Sequence, residues 1–314
     1  MDEVGGVGET AVASIELGNQ QGQSGWLYGI AAYGIWGAIP LYFHQLGDVP
    51  PLEVLFHRIC WSAGLLILLI SLTRNWTALY NCISTRKTCL QLLLSTIFIA
   101  LNWYGFIYSI TSGQAMQGSL GYFILPIVNA MFGILFFAER VRPAQIFALG
   151  MASLAIGVFI LYLGTFPWIA ITVAFSFAIY GLIRKKIAID PMIGLSVETL
   201  LMTPISLGIL LWWNHENQLV FGHRSRSLDF WIALSGLVTT LPLLLYARAL
   251  QSLQLISIGF LQYISPTCTL LIAIFIFEEE FSVAKQIAFL LIWIGLSIVI
   301  IDTLRTKRKR RMAN

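Results

Sequence analysis

The chain is 314 residues long with a formal net charge of +4; 58% of its residues are apolar or aromatic and only 11% are charged. Soluble globular proteins carry about 25% charged residues, so this composition cannot cover a watery surface. A soluble enzyme, a nucleic-acid-binding module and a disordered chain are excluded, and the mean hydropathy of +0.80 reads as an all-α polytopic membrane protein.

Residues 1–24 hold Asp2, Glu3, Glu9 and Glu16 among Gly, Gln and Ser, with no base. They are expected to be a disordered acidic cytoplasmic tail. A secretory leader begins with a positive flank; this flank is negative, so the first apolar segment is expected to be retained. Apolar runs bounded by charges, Pro, Gly or Asn then predict ten helices, approximately 25–44, 53–72, 90–110, 118–138, 144–163, 165–183, 193–213, 229–247, 256–277 and 283–302. Each exceeds the roughly 17 residues a transmembrane helix needs. The stretches Thr88–Ala138 and Pro143–Ile183 lack any Asp, Glu, Lys, Arg or His, and each fits two spans and a turn. None of the runs alternates as a barrel strand would.

Residues 303–314 carry the block Arg305-Thr-Lys-Arg-Lys-Arg-Arg311. Directly after a span, such a block is expected to sit on anionic lipid at the cytoplasmic face rather than on nucleic acid. With the N-terminus inside, fifteen of the nineteen Lys and Arg fall in inside segments. Arg224, Arg226 and Lys285 fall outside, and Arg58 lies within the second span. The positive-inside rule therefore predicts that both termini are cytoplasmic.

An internal repeat is visible. Ser119-Leu-Gly-Tyr-Phe-Ile-Leu-Pro126 parallels Ser257-Ile-Gly-Phe-Leu-Gln-Tyr-Ile-Ser-Pro266, and each proline is followed thirteen residues later by an acid, Glu139 or Glu279. Trp36-Gly37 likewise parallels Tyr180-Gly181. Residues 25–163 and 165–302 then form two repeats of five helices. Five is odd, so the second repeat enters the membrane from the opposite side, an inverted arrangement from which secondary transporters obtain two mirror-related states.

Tyr122, Pro126, Asn129 and Gly133 share one helical face, and the repeat carries it to Gln262, Pro266, Thr269 and Ala273. A proline frees a backbone carbonyl that must find a partner or line water, so these faces are expected to border a cavity, with tight inter-helix packing as the alternative. Asn102 and Trp103 lie midway along the third span, as inter-helix glue or as part of a pocket. Trp36 and Tyr180 would flank the same centre and suit an amphiphilic substrate. Glu53, His57, Arg58 and Glu198 are ionisable groups within spans, which are costly and by default functional. Glu53 and His57 can pair at i, i+4; Arg58 and Glu198 are candidates for a longer-range pair or a substrate contact, with Arg58 snorkelling outward and Glu198 inward as the alternative. If transport is proton-coupled, Glu198 or His57 is expected to carry the proton. The small residues Gly25/Gly29 and Gly150/Ser153/Gly157 are expected to let helices approach closely. Cys60, Cys82, Cys89 and Cys268 have no paired or metal spacing and read as packing residues. Neither a catalytic signature nor a cofactor motif is present.

The segments Ala31-Ala-Tyr-Gly-Ile-Trp-Gly37, Pro40-Leu-Tyr-Phe43, Glu53-Val-Leu-Phe-His-Arg58, Trp61-Ser62, Asn102-Trp103, Ser119-Leu-Gly-Tyr-Phe123, Tyr180-Gly-Leu-Ile-Arg-Lys-Lys186, Glu198-Thr199, Val238-Thr-Thr240 and Gly259-Phe-Leu-Gln-Tyr263 resemble, in order and spacing, the RarD-type permeases. These form part of the EamA branch of the drug/metabolite transporter superfamily, and the resemblance covers roughly residues 25–302. It implies a ten-helix inner-membrane carrier of two inverted five-helix EamA repeats with a central cavity, moving drugs or small metabolites. Carried over residue by residue, it favours His57, Arg58, Asn102, Tyr122, Asn129, Glu198 and Gln262. Two positions depart from the pattern: Ile124-Leu125-Pro126 stands where Ile-Asn-Pro is common, and Gln117-Gly118 where an acid often precedes Ser119. The expected function is therefore a permease for a small-molecule substrate, without cofactor. A polytopic membrane enzyme and a receptor or assembly factor are the alternatives, and a homodimer is left open.

Overall fold

The computed structural model describes residues 5–187, 189–278 and 283–313; the side chains of residues 5–23, 284 and 307–313 lie outside that description. Twelve helices follow one another in the described residues: α1 (Gly5–Leu46), α2 (Pro51–Thr73), α3 (Trp76–Ser84), α4 (Arg86–Thr111), α5 (Ala115–Phe137), α6 (Pro143–Leu163), α7 (Trp168–Ile187), α8 (Pro191–His215), α9 (Arg226–Ser252), α10 (Leu255–Gln262), α11 (Ile264–Phe275) and α12 (Val283–Ala313). Their limits follow local chemistry. Prolines sit in the first turn of α2, α6 and α8, where the missing N–H is not needed. The Asp190 carboxylate accepts from the backbone N–H of Met192 and Ile193 to start α8, and Gly164 ends α6 at φ 69°.

Nine spans, with α10 and α11 counted together as Leu255–Phe275, are long and apolar enough to cross a membrane among the described residues. The tenth is the second part of α1. Its Trp, Tyr and Gly residues lower its hydropathy, yet it packs along α9 and α11 in the middle of the bundle. α10 and α11 are one span broken at Tyr263, just before Pro266 withdraws the N–H that Gln262 would otherwise receive. In the first repeat the corresponding Pro126 lies inside a continuous α5.

Three features differ from the sequence expectations. α1 is already helical from Gly5, where a disordered tail to residue 24 was expected; a helix anchored by a packed span propagates without a new nucleation cost. α12 likewise runs on through the basic segment to Ala313. α3 was not foreseen: Leu79 and Cys82 bury against Ile70, Leu92, Ile193 and Val197, while Trp76, Tyr80 and Ile83 stay exposed. At nine residues it is too short to stand out from the flanking Arg74-Asn75 and Thr85-Arg-Lys87.

The packing obeys a pseudo-twofold rule. The contact of α1 with α9 is answered by that of α7 with α4, α1 with α11 by α7 with α5, and α2 with α9 by α8 with α4. The pairs α2–α8, α5–α10 and α6–α12 join each element to its own counterpart. Two repeats of five spans thus interlock, and five crossings each leave them inverted.

Lipid offers no hydrophobic drive for helix association, so close approach between small residues carries it. A Cβ on Gly236 of α9 would lie 2.6 Å from the Trp61 carbonyl carbon of α2, and one on Gly259 of α10 would lie 3.0 Å from the Pro126 carbonyl oxygen of α5. Gly25 and Gly29 also meet neighbours closely, whereas Gly150 and Gly157 face open space. On α6 the tight contact is instead made by Ala148, against Gly295 of α12. The Arg142 guanidinium, 2.6 Å from Asp302 and 3.1 Å from the Thr303 hydroxyl, ties the same two helices at one end. Gly236→Ala is therefore expected to destabilise the detergent-solubilised protein by about 1–3 kcal/mol through overpacking. Gly150→Ala, with nothing to strike, is expected to be neutral or mildly stabilising. Thermal unfolding midpoints of the two variants check this.

Candidate functional site

The seam between the repeats gathers most of the polar groups predicted to matter, in two layers. One lies towards the end of the bundle where α2 begins, the other towards the end where α7 stops.

In the first layer Arg58 of α2 donates through Nε to the Thr239 hydroxyl of α9 at 2.8 Å, and its guanidinium lies 5.1 Å over the Trp103 ring of α4. Tyr122 of α5, packed on Phe106 with ring centroids 5.7 Å apart, lies within electrostatic reach of Arg58. Two small cavities, each of about 10 Å³ or room for about one water, adjoin this layer. One is lined by Ile59, Ser62, Trp103, Leu195, Thr199, Thr239, Thr240 and Leu243. The other is lined by Ile39, Tyr42, Phe43, Arg58, Ser235, Val238 and Thr239.

The second layer is aromatic. Tyr33 and Trp36 of α1, Phe177 and Tyr180 of α7 and Tyr246 of α9 form one cluster, with centroids 5.2–6.4 Å apart. The Tyr33 and Tyr246 hydroxyls are buried without a partner among the described residues. Beside the cluster, the Glu198 carboxylate accepts from Ser95 at 2.5 Å and Tyr180 at 3.3 Å, and its Oε1 lies 3.6 Å from Arg184 Nη1. Arg184 reaches this position only because Gly194 leaves no side chain in its way.

The remaining predicted residues are placed as follows. Trp36 and Tyr180 do share one centre, with Phe177 between them. Asn102 is glue: its Nδ2 donates to the Val173 carbonyl of α7 at 2.9 Å. Thr269 donates to the Gly37 carbonyl at 3.3 Å. The stripe of α5 faces α10 rather than an open cavity: Gly259 sits against Pro126 and Asn129, and Gly133 against Ile256. Yet both polar atoms of Asn129, and Oε1 of Gln262, are buried without partners among the described residues. Glu53 accepts from the backbone N–H groups of Val220 and Phe221 at 2.9–3.1 Å, with His57 Nε2 3.9 Å away and otherwise unbonded. The long-range partner of Glu198 is Arg184, not Arg58. The acid expected at Glu279 lies outside the described residues. Among the described residues no three His, Cys, Asp or Glu side chains gather to hold a metal.

Sequence reasoning missed the stripe on α9. Ser235, Thr239 and Tyr246 fall at i, i+4 and i+11 and face α1 and α2 along the seam. That spacing was available, but four leucines and a proline between Thr240 and Tyr246 mask it. Ser95 and Arg184 were missed because each stands at the margin of a span.

Removing one member of a buried ion pair leaves the other uncompensated and costs about 3–5 kcal/mol. Arg184→Met and Glu198→Gln alone are therefore each expected to lower the thermal midpoint in detergent. The double variant is expected to lie closer to the unchanged protein than additivity allows, which a double-mutant cycle reads directly.

The family model described as the EamA-like transporter family matches residues 23–163 and again 166–301. An uncharacterized transporter of Vibrio cholerae is 38% identical over 94% of this chain and 97% of its own. Protein RarD of Salmonella typhimurium is 37% identical over 93% of this chain and 99% of its own. A protein solved by crystallography superimposes with a TM-score of 0.68 over 88% of this chain and 96% of the other, at 16% identity, a likeness of fold. With both repeats matched, and relatives of this identity running almost end to end, the chain is an integral membrane protein that belongs to the EamA-like transporter family.

Proposed function

We propose that the chain is a secondary carrier that moves small amphiphilic metabolites or drugs by alternating access between its inverted repeats. One observation carries this reading. Among the described residues, polar groups left without partners, including the hydroxyls of Tyr33, Thr240 and Tyr246, the amide of Asn129 and the amide oxygen of Gln262, lie on or beside the seam between the repeats. In hydrocarbon such groups are expensive, and a bundle built only for compactness would pair them. The repeats meet there through helices that exchange roles under the pseudo-twofold, which is the geometry two mirror-related access states require. Both ends are tied in this conformation. Tyr42 donates to the Trp231 carbonyl at one end, and Lys185 donates to the Leu250 and Leu253 carbonyls at the other.

In a proton-coupled cycle the group we assign to the proton is Glu198. It faces Ser95, Tyr180 and Arg184 beside the aromatic layer, whereas His57 lies against Phe221 near the opposite end. Exchange by Glu198→Gln that kept its full pH dependence would remove this role.

The reading takes the Arg184 end as cytoplasmic, with both termini on that side of a bacterial inner membrane. In a cysteine-free background, Gln218→Cys should react with an impermeant maleimide from outside intact cells, and Lys87→Cys only after permeabilisation. The reverse pattern overturns the orientation. For transport itself, counterflow of labelled metabolites and drugs in proteoliposomes is expected to show exchange of at least one compound. That exchange should fall about tenfold or more in Tyr122→Ala and Gln262→Ala, with folding checked by thermal midpoint. A broad panel without exchange overturns the carrier.

A further inference from the structure

The geometry points to Arg58 as the anchor for a monoanionic carboxylate substrate with an apolar or aromatic body, bound on the seam between α2, α4, α8 and α9. This deepens the carrier reading and rests on it. Among the described residues the guanidinium uses one of its donors, Nε to Thr239, and the other four meet no acceptor. No acid lies within 4 Å of it among the described residues, and the buried acids of the bundle are all engaged elsewhere. Glu53 holds the Val220 and Phe221 amides, Glu139 holds the Leu255 and Ile256 amides, and Glu198 holds Arg184. A cation without a counter-charge inside a membrane bundle is costly and marks a function. The missing negative charge is therefore supplied by what binds.

The surroundings select the ligand. Thr240, whose buried hydroxyl meets no partner among the described residues, borders one of the two cavities that flank Thr239 and offers a further hydrogen bond, while Ser235, beside the Tyr42 hydroxyl, borders the other. A guanidinium fork matches a carboxylate with two parallel bonds. A single cation with no second base among the lining residues balances one negative charge, not the two of a phosphate ester. With no free carboxylate beside it, the site has nothing to neutralise an ammonium group. The Trp103 ring, which would otherwise offer a cation–π face, already carries Arg58. Ile59, Leu195, Leu243 and Trp103 then provide an apolar wall for the body. The cavities are too small for such a ligand in this closed conformation. The site nevertheless straddles the repeats: Arg58 bonds Thr239, and Ser62 donates to the Gly236 carbonyl at 3.2 Å, both across the α2–α9 contact. Separation of α2 from α9 would break those bonds and widen the space at Arg58.

The test uses four probes that share a phenyl body: phenylpyruvate as monoanion, phenylalanine as zwitterion, phenethylamine as cation and phenyl phosphate as dianion. Each is added to the purified full-length protein, with the thermal midpoint and proteoliposome counterflow as readouts. Phenylpyruvate is expected to raise the midpoint, with apparent affinity about tenfold or more weaker in Arg58→Gln, as for loss of a charge-assisted pair. Arg58→Lys, which keeps the charge but not the fork, is expected to fall between the two. Because Arg58 lacks a counter-charge, empty Arg58→Gln should unfold at or above the midpoint of the unchanged protein, which keeps the variant interpretable. Stabilisation or exchange by phenethylamine or phenylalanine that is equal to that of phenylpyruvate and insensitive to Arg58→Gln overturns the anion site and leaves the carrier standing. Binding of phenylpyruvate through Arg58 without exchange of any compound supports the site and overturns the carrier. No response to any probe overturns the anion site.

Discussion

Every buried carboxylate among the described residues joins one repeat to the other. Glu53 of α2 holds the amides of the Val220–Phe221 segment that precedes α9. Glu139, just after α5, holds the first two amides of α10. Glu198 of α8 takes the Ser95 hydroxyl of α4 as well as Arg184 of its own repeat. The constraint behind this is that hydrocarbon solvates no charge, so an acid in the bundle must be met by protein dipoles or cations. Placing those partners on the opposite repeat makes charge satisfaction and repeat docking the same event. The interlocked pairing of α1 with α9 and of α4 with α7 then follows with close approach at small residues.

The same constraint gives meaning to the groups left unsatisfied. A bundle that matches three acids across its seam has the means to match a guanidinium too, yet among the described residues Arg58 has only a threonine hydroxyl and an aromatic face. Among the same residues Tyr33, Tyr246, Asn129 and Gln262 are likewise left with buried polar atoms unpaired. Their concentration along one surface distinguishes them from incidental packing faults. A surface that is incomplete in one arrangement of the repeats can be completed by a ligand or by a second arrangement, and a carrier uses both.

The two proline sites show how far the repeats have diverged. Pro126 and Pro266 each withhold a hydrogen bond four residues back, from the Tyr122 and Gln262 carbonyls. α5 absorbs the loss and stays continuous, while the second span breaks at Tyr263. Tyr263 then packs its ring towards Phe123 and donates to that residue's carbonyl at 3.3 Å, so the break itself forms part of the α5–α10 contact. The two members of this repeat-related pair are therefore not mechanically equivalent.

Composition and hydropathy by themselves determined the membrane class, the helical architecture and, apart from the extensions of α1 and α12, the limits of the spans to within a few residues, because a span must be long and apolar whatever it packs against. The repeat and its odd parity were also legible, from Trp36-Gly37 against Tyr180-Gly181 and from the two Ser-x-Gly segments. The residues Arg58, Trp103 and Glu198 stood out because charge and indole are rare at those depths. Tertiary structure alone decided the partners. It gave Glu198 to Arg184, assigned Asn102 to a backbone carbonyl, turned the Pro126–Asn129 face towards α10, and drew Thr239 and Tyr246 of α9 into the site. The physical reason is that a helix's sequence shows which of its faces is polar, whereas which polar face meets which depends on crossing positions set by close contacts between residues far apart in the chain.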